Sequence, residues 1–502
     1  MDQSAGAPPG RIGRPVVPAQ EVELKLEPTL EAADMLIGSD LLPTGPAVAR
    51  LRSIYFDTPG QDLRKAGFTL RIRESGGRRI QTVKAAGPGA AGLFARPEWE
   101  QPVEDDRPLL DVTTPLKALL GDNYKYLGPA FEVLVERRTW MVSWEDATIE
   151  LVLDRGEVVA GDRRSPLCEI ELELKRGSTA ALFSFARRID IAVPLRLGLL
   201  NKAERGYRLL GPAARAVKTE PVALTPDVTT AAAFHRIAGA CLRQFRLNEA
   251  LIDPRDGEAV HQARVALRRL RSAFTIHKAI ANDGQFDRLR EELRWLAAEL
   301  GTARGLDVLI ARCDAGGVRE RLEQARQQAY GDATTVLASA RARALMLDLS
   351  EWLVRGDWLT QQSATEAREQ RARDFAASAL DRFRKKVRKR GRDLVDLDDA
   401  TRHELRKDAK KLRYAAEFFA PLFQTRRQMR RYGRFLETLE KLQDELGLLN
   451  DAVSTPRLLA RVGLDRDPGA AFLITTIEEK AAMIEAAAEA HDAFADTKRF
   501  WR

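Results

Sequence analysis

The hydrophobic period of this chain changes once, and that change constrains the fold more than any other feature. Up to about Pro212, apolar and polar residues alternate in EVELKLE (21–27), FTLRIRE (68–74), RIQTVKA (79–85), TIELVLD (148–154) and CEIELELK (168–175), with Gly, Pro and Asp between them. Alternation with period two predicts half-buried strands. From Asp227 onward, long Ala/Leu/Arg/Glu-rich stretches predict helices packed as bundles. The intervening GPAARAVKTEPVALTPD reads as a linker. The expected organisation is a tail over 1–17, a sheet domain over 18–212, a linker over 213–227 and a helical domain over 228–502. The tail is Gly/Pro-rich and lacks the apolar core of a secretion signal, so disorder is expected there.

The strands carry charge in an unusual pattern. Glu21, Glu23 and Lys25 share one face of the first strand, opposite Val22, Leu24 and Leu26. Arg71 and Arg73 point together, as do Glu169, Glu171, Glu173 and Lys175. Lys84 closes QTVK, and Glu98 and Glu100 alternate in RPEWE. Carboxylates on some strands and Arg or Lys on others predict a closed sheet whose charged faces line a channel. Such a channel suits a metal-bridged phosphate chain: hard divalent cations take carboxylate oxygens, and phosphate oxygens take Arg and Lys. GPGAAG (87–92) has the GxGxxG spacing, but strand-like LFARPEWE follows it where a dinucleotide site needs a helix. It reads as a hairpin loop.

The helical half repeats a basic stripe. His261, Arg264, Arg268, Arg269 and Arg271 recur, at the same offsets, as His403, Arg406, Lys410, Lys411 and Arg413. Offsets 0, 3, 7 and 10 share one helix face, with offset 8 at its flank. Like charges so spaced repel unless an anion neutralises them, so a polyanionic partner is expected. LAAELGTARGLDVL (296–309) also resembles LQDELGLLNDAV (442–453), aligning Gly301 and Arg304 with Gly447 and Asn450. Two tandem bundles related by pseudo-symmetry follow from this; the competing reading of Leu-Gly is a glycine-capped helix end.

Charge falls unevenly on the two halves. Residues 1–212 hold 29 Lys and Arg against 30 Asp and Glu, whereas residues 213–502 hold 52 against 43. The basic excess thus lies with the stripes, which points to polyphosphate, nucleic acid or an anionic membrane as partner classes. Three dispersed cysteines with no metal-ligand spacing suit a cytoplasmic location, and no apolar run is long enough to span a membrane.

Glu21-x-Glu23-x-Lys25, followed by IYFDTP, LRKAGFTLRIR, QTVK and CEIELELK, resembles the CYTH superfamily of triphosphate-tunnel metalloenzymes. HxxRVxxRRLR and HxLRKxxKKLRY resemble the stripes of CHAD domains, and the combination resembles the bacterial CYTH–CHAD inorganic triphosphatases. The resemblance implies an α+β two-domain chain: an antiparallel eight-stranded β tunnel barrel, then an all-α tandem helical-bundle domain. It implies hydrolysis of inorganic triphosphate to diphosphate and phosphate with Mg²⁺ or Mn²⁺. Glu21, Glu23, Glu169, Glu171 and Asp154 would be the metal ligands, with Glu98 and Glu173 nearby. Lys25, Arg71, Arg73, Lys84, Arg137 and Lys202 would hold triphosphate, and Glu21, Glu23, Lys25, Lys84 and Arg137 would carry catalysis. The ten stripe residues would bind polyphosphate, with duplex DNA a poorer fit to a narrow groove and no membrane partner. The CHAD motif LGxxRDxD is broken here by Gly305 after Arg304. Alternatives of the same fold are a thiamine or nucleoside triphosphatase, an adenylyl cyclase, or a non-catalytic polyphosphate-binding scaffold.

Overall fold

The computed structural model describes residues 21–85, 93–96, 98–110, 114–314 and 316–502. The expected tail, the GPGAAG loop and the side chain of Glu21 lie outside this description. The first half forms ten strands: β1 (Glu21–Glu27), β2 (Ala47–Asp57), β3 (Phe68–Ser75), β4 (Arg78–Ala85), β5 (Leu93–Arg96), β6 (Glu98–Val103), β7 (Gly128–Trp144), β8 (Ala147–Ala160), β9 (Arg163–Arg176) and β10 (Arg196–Leu197). All pairings are antiparallel, in the order β10-β1-β9-β8-β7-β2-β3-β4-β6, with β5 on β1. The expected closed ring of eight strands is therefore corrected to an open order of more strands. At the two sides of the gap between β4 and β1, β5 pairs with β1 and β6 with β4. Alternation within a strand does not report which strands pair across a gap, so it does not place the two short strands.

The strand alternation sorts charge from hydrocarbon. Leu24, Leu26, Ile170 and Leu172 are fully buried on the outer face, beneath the helix Thr179–Ala192. Lys25 is directly opposite Glu171, Glu23 opposite Glu173, and Arg137 opposite Asp154, on the inner face. Asp57, at the end of β2, accepts from the backbone N–H groups of Thr58, Leu63 and Arg64 and from the Tyr207 hydroxyl at 2.7 Å. This buried carboxylate ties the turn in IYFDTP to the last helix of the half, Lys202–Leu210.

The second half is helical and repeats. In each repeat a helix (Thr230–Glu249; Ala372–Arg390) packs on a stripe helix (Glu258–Ile276; Asp399–Phe419). The segments entering the two repeats pair with each other: Thr230 N–H donates to the Gln370 carbonyl and Ala372 N–H to the Val228 carbonyl, both at 2.9 Å. That reciprocal pair is what a pseudo-twofold produces. The third segments differ, as Phe286–Glu299 and Gly301–Ile310 in the first repeat and the continuous Arg426–Arg461 in the second. Leu300-Gly301 does mark the end of Phe286–Glu299, whereas Gly447 lies inside a helix, so the helix-end reading is corrected for Leu446-Gly447. Among the described residues, no helix is long and apolar enough to cross a membrane.

The segment read as a linker is strapped down. Asn248 accepts from Val217 N–H at 2.8 Å and donates to the Val217 carbonyl at 2.9 Å. Arg187 pairs with Asp348 and Glu351, Arg343 with Asp190, and buried Arg246 donates to the Leu197 carbonyl at 3.0 Å. One apolar cluster runs from Leu24 and Phe183 through to Phe234 and Trp352. An isolated fragment of residues 18–212 uncovers this shared core. Its melting temperature is expected to fall by roughly 10 °C or more below that of the sheet half in the full chain. Differential scanning calorimetry checks this, and coincident transitions would show the contact to be idle.

Candidate active site and the paired cationic stripes

The inner face of the sheet encloses a cavity of about 280 Å³. Glu23, Lys25, Arg71, Arg73, Lys84, Glu98, Arg137, Glu171, Glu173 and Lys202 all line it, so most of the tunnel residues expected from sequence converge there. Asp154 and Glu169 lie just behind, 0% and 1% exposed. Lys202 reaches them because Asn201 caps the helix Lys202–Leu210. The Asn201 side chain accepts from Glu204 N–H at 2.9 Å, and Glu204 accepts from Asn201 N–H at 3.0 Å. This capping box fixes the helix start beside the sheet.

Carboxylates and cations interlock at the rear wall. The acid oxygens of Asp154, Glu169 and Glu171 lie within 4.8 Å of one another. Lys202 Nζ stands among them, bonded to Glu169, 2.8 Å from Asp154 and 3.0 Å from Glu171. Lys25 bonds Glu171 and lies 3.7 Å from both Glu23 and Glu169. Arg137 grips Asp154 with two bonds, of 2.8 and 2.6 Å, and reaches Glu171 at 3.3 Å. Burial opposes every charge here, but the counter-charges prevail. Glu171 is held well below the usual carboxylate range by Lys202, Lys25 and Arg137, and Asp154 is lowered by Lys202 and Arg137. Lys25, Lys202 and Arg137 are raised by the same acids.

The opposite wall is short of anions. Lys84 bonds Glu98 at 2.8 Å, and Arg71 lies 4.0 Å from the same carboxylate. Arg73 makes no ion pair among the described residues. Burial, with Arg71 and Arg137 nearby, pushes its pKa down to about 10. Burial works against ionising the Tyr55 hydroxyl, yet Arg71 and Arg73 lower its pKa. Sequence reading passed over Tyr55 within IYFDTP, and Glu150, Thr82 and Asn201, which also line the cavity. Only the NKAE capping pattern (201–204) could have flagged any of them.

In the helical half the stripe helices pack on each other and bring the two ridges together. Arg268 donates to the Tyr414 hydroxyl of the other stripe helix at 2.8 Å. His261, Arg264, Arg268, Arg271, Arg406 and Lys410 are half-buried rather than freely solvated. Burial and Arg268 depress Arg264, Arg406 and Lys410, the first to about 10 and the last to about 6. The repeat extends to neighbours: Arg264 donates to the Ala297 carbonyl beside Gly301, where an added Cβ would lie 3.2 Å from the guanidinium, and Gly447 lies beneath Arg406. His403 bonds Asn450 at 2.7 Å, while Arg304 lies near His261 and lowers its pKa after burial. Three stripe residues depart from expectation. Arg269 is 4% exposed, bonded to Glu417 and laid on Phe418 at 4.6 Å. Lys411 pairs with Asp408, and Arg413 with Glu417 and Glu440. Offset 8 turns into the packed flank of the helix, so Arg269 belongs to the core there rather than to the ridge.

These features define an antiparallel sheet with a charged cavity on its inner face, joined to a two-repeat helical domain. The family models agree: the chain carries a CYTH domain over residues 19–207 and a CHAD domain over 236–460. It is similar to the inorganic triphosphatase of Haemophilus influenzae, at 32% identity over 166 residues, 32% of this chain and 46% of that one. The chain thus spans about half the length of that relative. An uncharacterized protein of Mycobacterium tuberculosis is 26% identical over 436 residues, covering 79% of this chain and 80% of its own. The crystal structure of the CHAD domain from the plant Ricinus communis is 30% identical, with a TM-score of 0.48, covering 57% of this chain and 97% of that one.

Proposed function

We propose that this protein hydrolyses inorganic triphosphate in the CYTH cavity with the help of a divalent cation, and that its CHAD domain binds polyphosphate. The observation that carries the first part is the division of one cavity into a carboxylate wall and a wall of cations that includes Arg73, which makes no ion pair among the described residues. Arg71, Arg73, Lys84 and Arg137 face the space where phosphate oxygens would lie, and the Arg fork matches them bidentately. Glu23, Glu171 and Glu173 supply hard oxygen donors toward the same space, which fits Mg²⁺ or Mn²⁺. Glu21 remains a candidate ligand from its motif. Lys202 takes the cation position among Asp154, Glu169 and Glu171, so Asp154 and Glu169, behind the cavity wall, act by orienting Lys202 and Arg137. A bound divalent cation would neutralise phosphate oxygens and favour in-line attack by water.

An organic head group finds little to stack on in this cavity. Tyr55 is the aromatic residue among the described lining, and its ring is already stacked on Phe131 at 4.8 Å. Inorganic triphosphate is therefore preferred over thiamine triphosphate, nucleoside triphosphates or ATP cyclisation. Glu171→Gln is expected to lower phosphate release from triphosphate at least about 100-fold, the scale on which one preorganised electrostatic group contributes at an active site. Excess chelator should abolish wild-type turnover. Undiminished release in either case, from protein with an unchanged circular dichroism spectrum, would overturn the reading.

A further inference from the structure

A second cavity, of about 390 Å³, lies between the two halves. It adjoins the tunnel: Thr69, Lys84, Asn201 and Ala203 line both spaces. Its far wall is the helix Thr230–Glu249 and the strapped segment around Val217. Arg64, Lys84, Arg208, Lys218, Arg243 and Arg269 line it, against Glu204 and Glu220. Glu204 is already engaged, by Arg243 and the backbone of Asn201. Arg208 is half-buried and makes no ion pair among the described residues; burial and Arg243 hold its pKa down. Arg269, packed off the ridge of its stripe helix and paired with Glu417, closes the wall on that side. Half-buried Arg208 and Arg243, held side by side, raise the free energy of the empty site, and a multivalent anion lowers it.

We propose that this cavity is a vestibule for phosphate chains longer than triphosphate. The terminal phosphates of such a chain occupy the tunnel, and the following ones run past Lys84 along Arg208, Arg243 and Lys218 toward the stripe helix. The proposal rests on the tunnel reading above and deepens it by naming the substrate class that the interdomain space accepts. It also gives the packed contact between the halves a role, since neither half alone encloses the space.

The test uses the full chain, with triphosphate hydrolysis as the signal and a polyphosphate of about ten phosphates as inhibitor. In the wild type the longer chain should compete with triphosphate. In Arg208→Glu its inhibition constant should rise at least tenfold, while the KM for triphosphate moves less than threefold. Arg208→Gln should give an intermediate rise, which separates lost charge from misfolding. Equal inhibition in all three proteins, or no competition in the wild type, would overturn the vestibule and leave the tunnel reading standing. Absence of triphosphate hydrolysis with any divalent cation would instead remove the tunnel reading. ATP that inhibits more strongly than the longer chain, and loses that advantage in Arg208→Glu, would overturn the proposal in favour of an organic head group.

Discussion

Lys202→Met is expected to unfold the sheet half at markedly lower temperature and to abolish triphosphate turnover. The substitution leaves Asp154, Glu169 and Glu171 crowded within 4.8 Å without the ammonium that stands among them. Removing one partner of a buried ion pair destabilises by about 3–5 kcal/mol, because the remaining charge is stranded in low dielectric. The pH dependence has a definite sign. In the wild type, Asp154 and Glu171 are held below their unfolded values, so their contribution is present above the ordinary carboxylate range and lost as pH falls through the folded values. In Lys202→Met the crowded acids favour protons, so mild acidification should stabilise the variant relative to neutral pH. Mg²⁺ should raise its melting temperature more than that of the wild type, since the vacated position is ringed by hard oxygen donors. Thermal melts at several pH values, with and without Mg²⁺, check all three outcomes. A variant that melts with the wild type would show that the network adds little.

Reversing charge at Arg268 and Arg406 together is expected to weaken polyphosphate binding at least 100-fold. Arg268 stands where the two ridges meet and depresses the pKa of both Arg406 and Lys410. Loss of two phosphate contacts should also reduce the slope of log affinity against log salt by roughly 1.4, on the scale seen for flexible single-stranded polyanions. Lys389, exposed and off the ridge, is the control; Arg384 is unsuitable because it donates to the carbonyls of Ala495 and Thr497. Lys410 adds a pH signature. Its pKa near 6 in the unbound protein leaves it largely neutral at pH 7–8, and a phosphate chain would restore its charge. Binding should therefore take up a proton, and affinity should fall as pH rises above 6. Titration calorimetry in two buffers of different ionisation enthalpy measures that uptake; no uptake would place the chain away from Lys410.

Much of this molecule is legible along the chain, for a local reason. Strand alternation is set by pleat geometry, so EVELK and CEIELELK place Lys25 and Glu171 on one face before any partner is known. The matched offsets of the two stripes likewise need only the helical repeat. What alternation cannot report is register between strands or the path of closure. β5 and β6 are adjacent in sequence yet pair with β1 and β4 respectively, through hydrogen bonds that leave no trace in composition. Arg269 shows the same limit on a helix. Its offset is as regular as its neighbours', but the partner helix presents Glu417 and Phe418 to it, and contact rather than spacing made it part of the core.

The sequence by itself determined the two fold classes, the charged inner face of the sheet and the existence of two like cationic helices. Each depends on a residue's own periodicity within one element. The tertiary structure alone decided that Lys202 fills the centre of the acid cluster, that the ridges meet at Arg268, and that the supposed linker is fixed against the helix Thr230–Glu249. Those arrangements arise between segments up to about 150 residues apart, where packing and desolvation of several charges at once select one geometry.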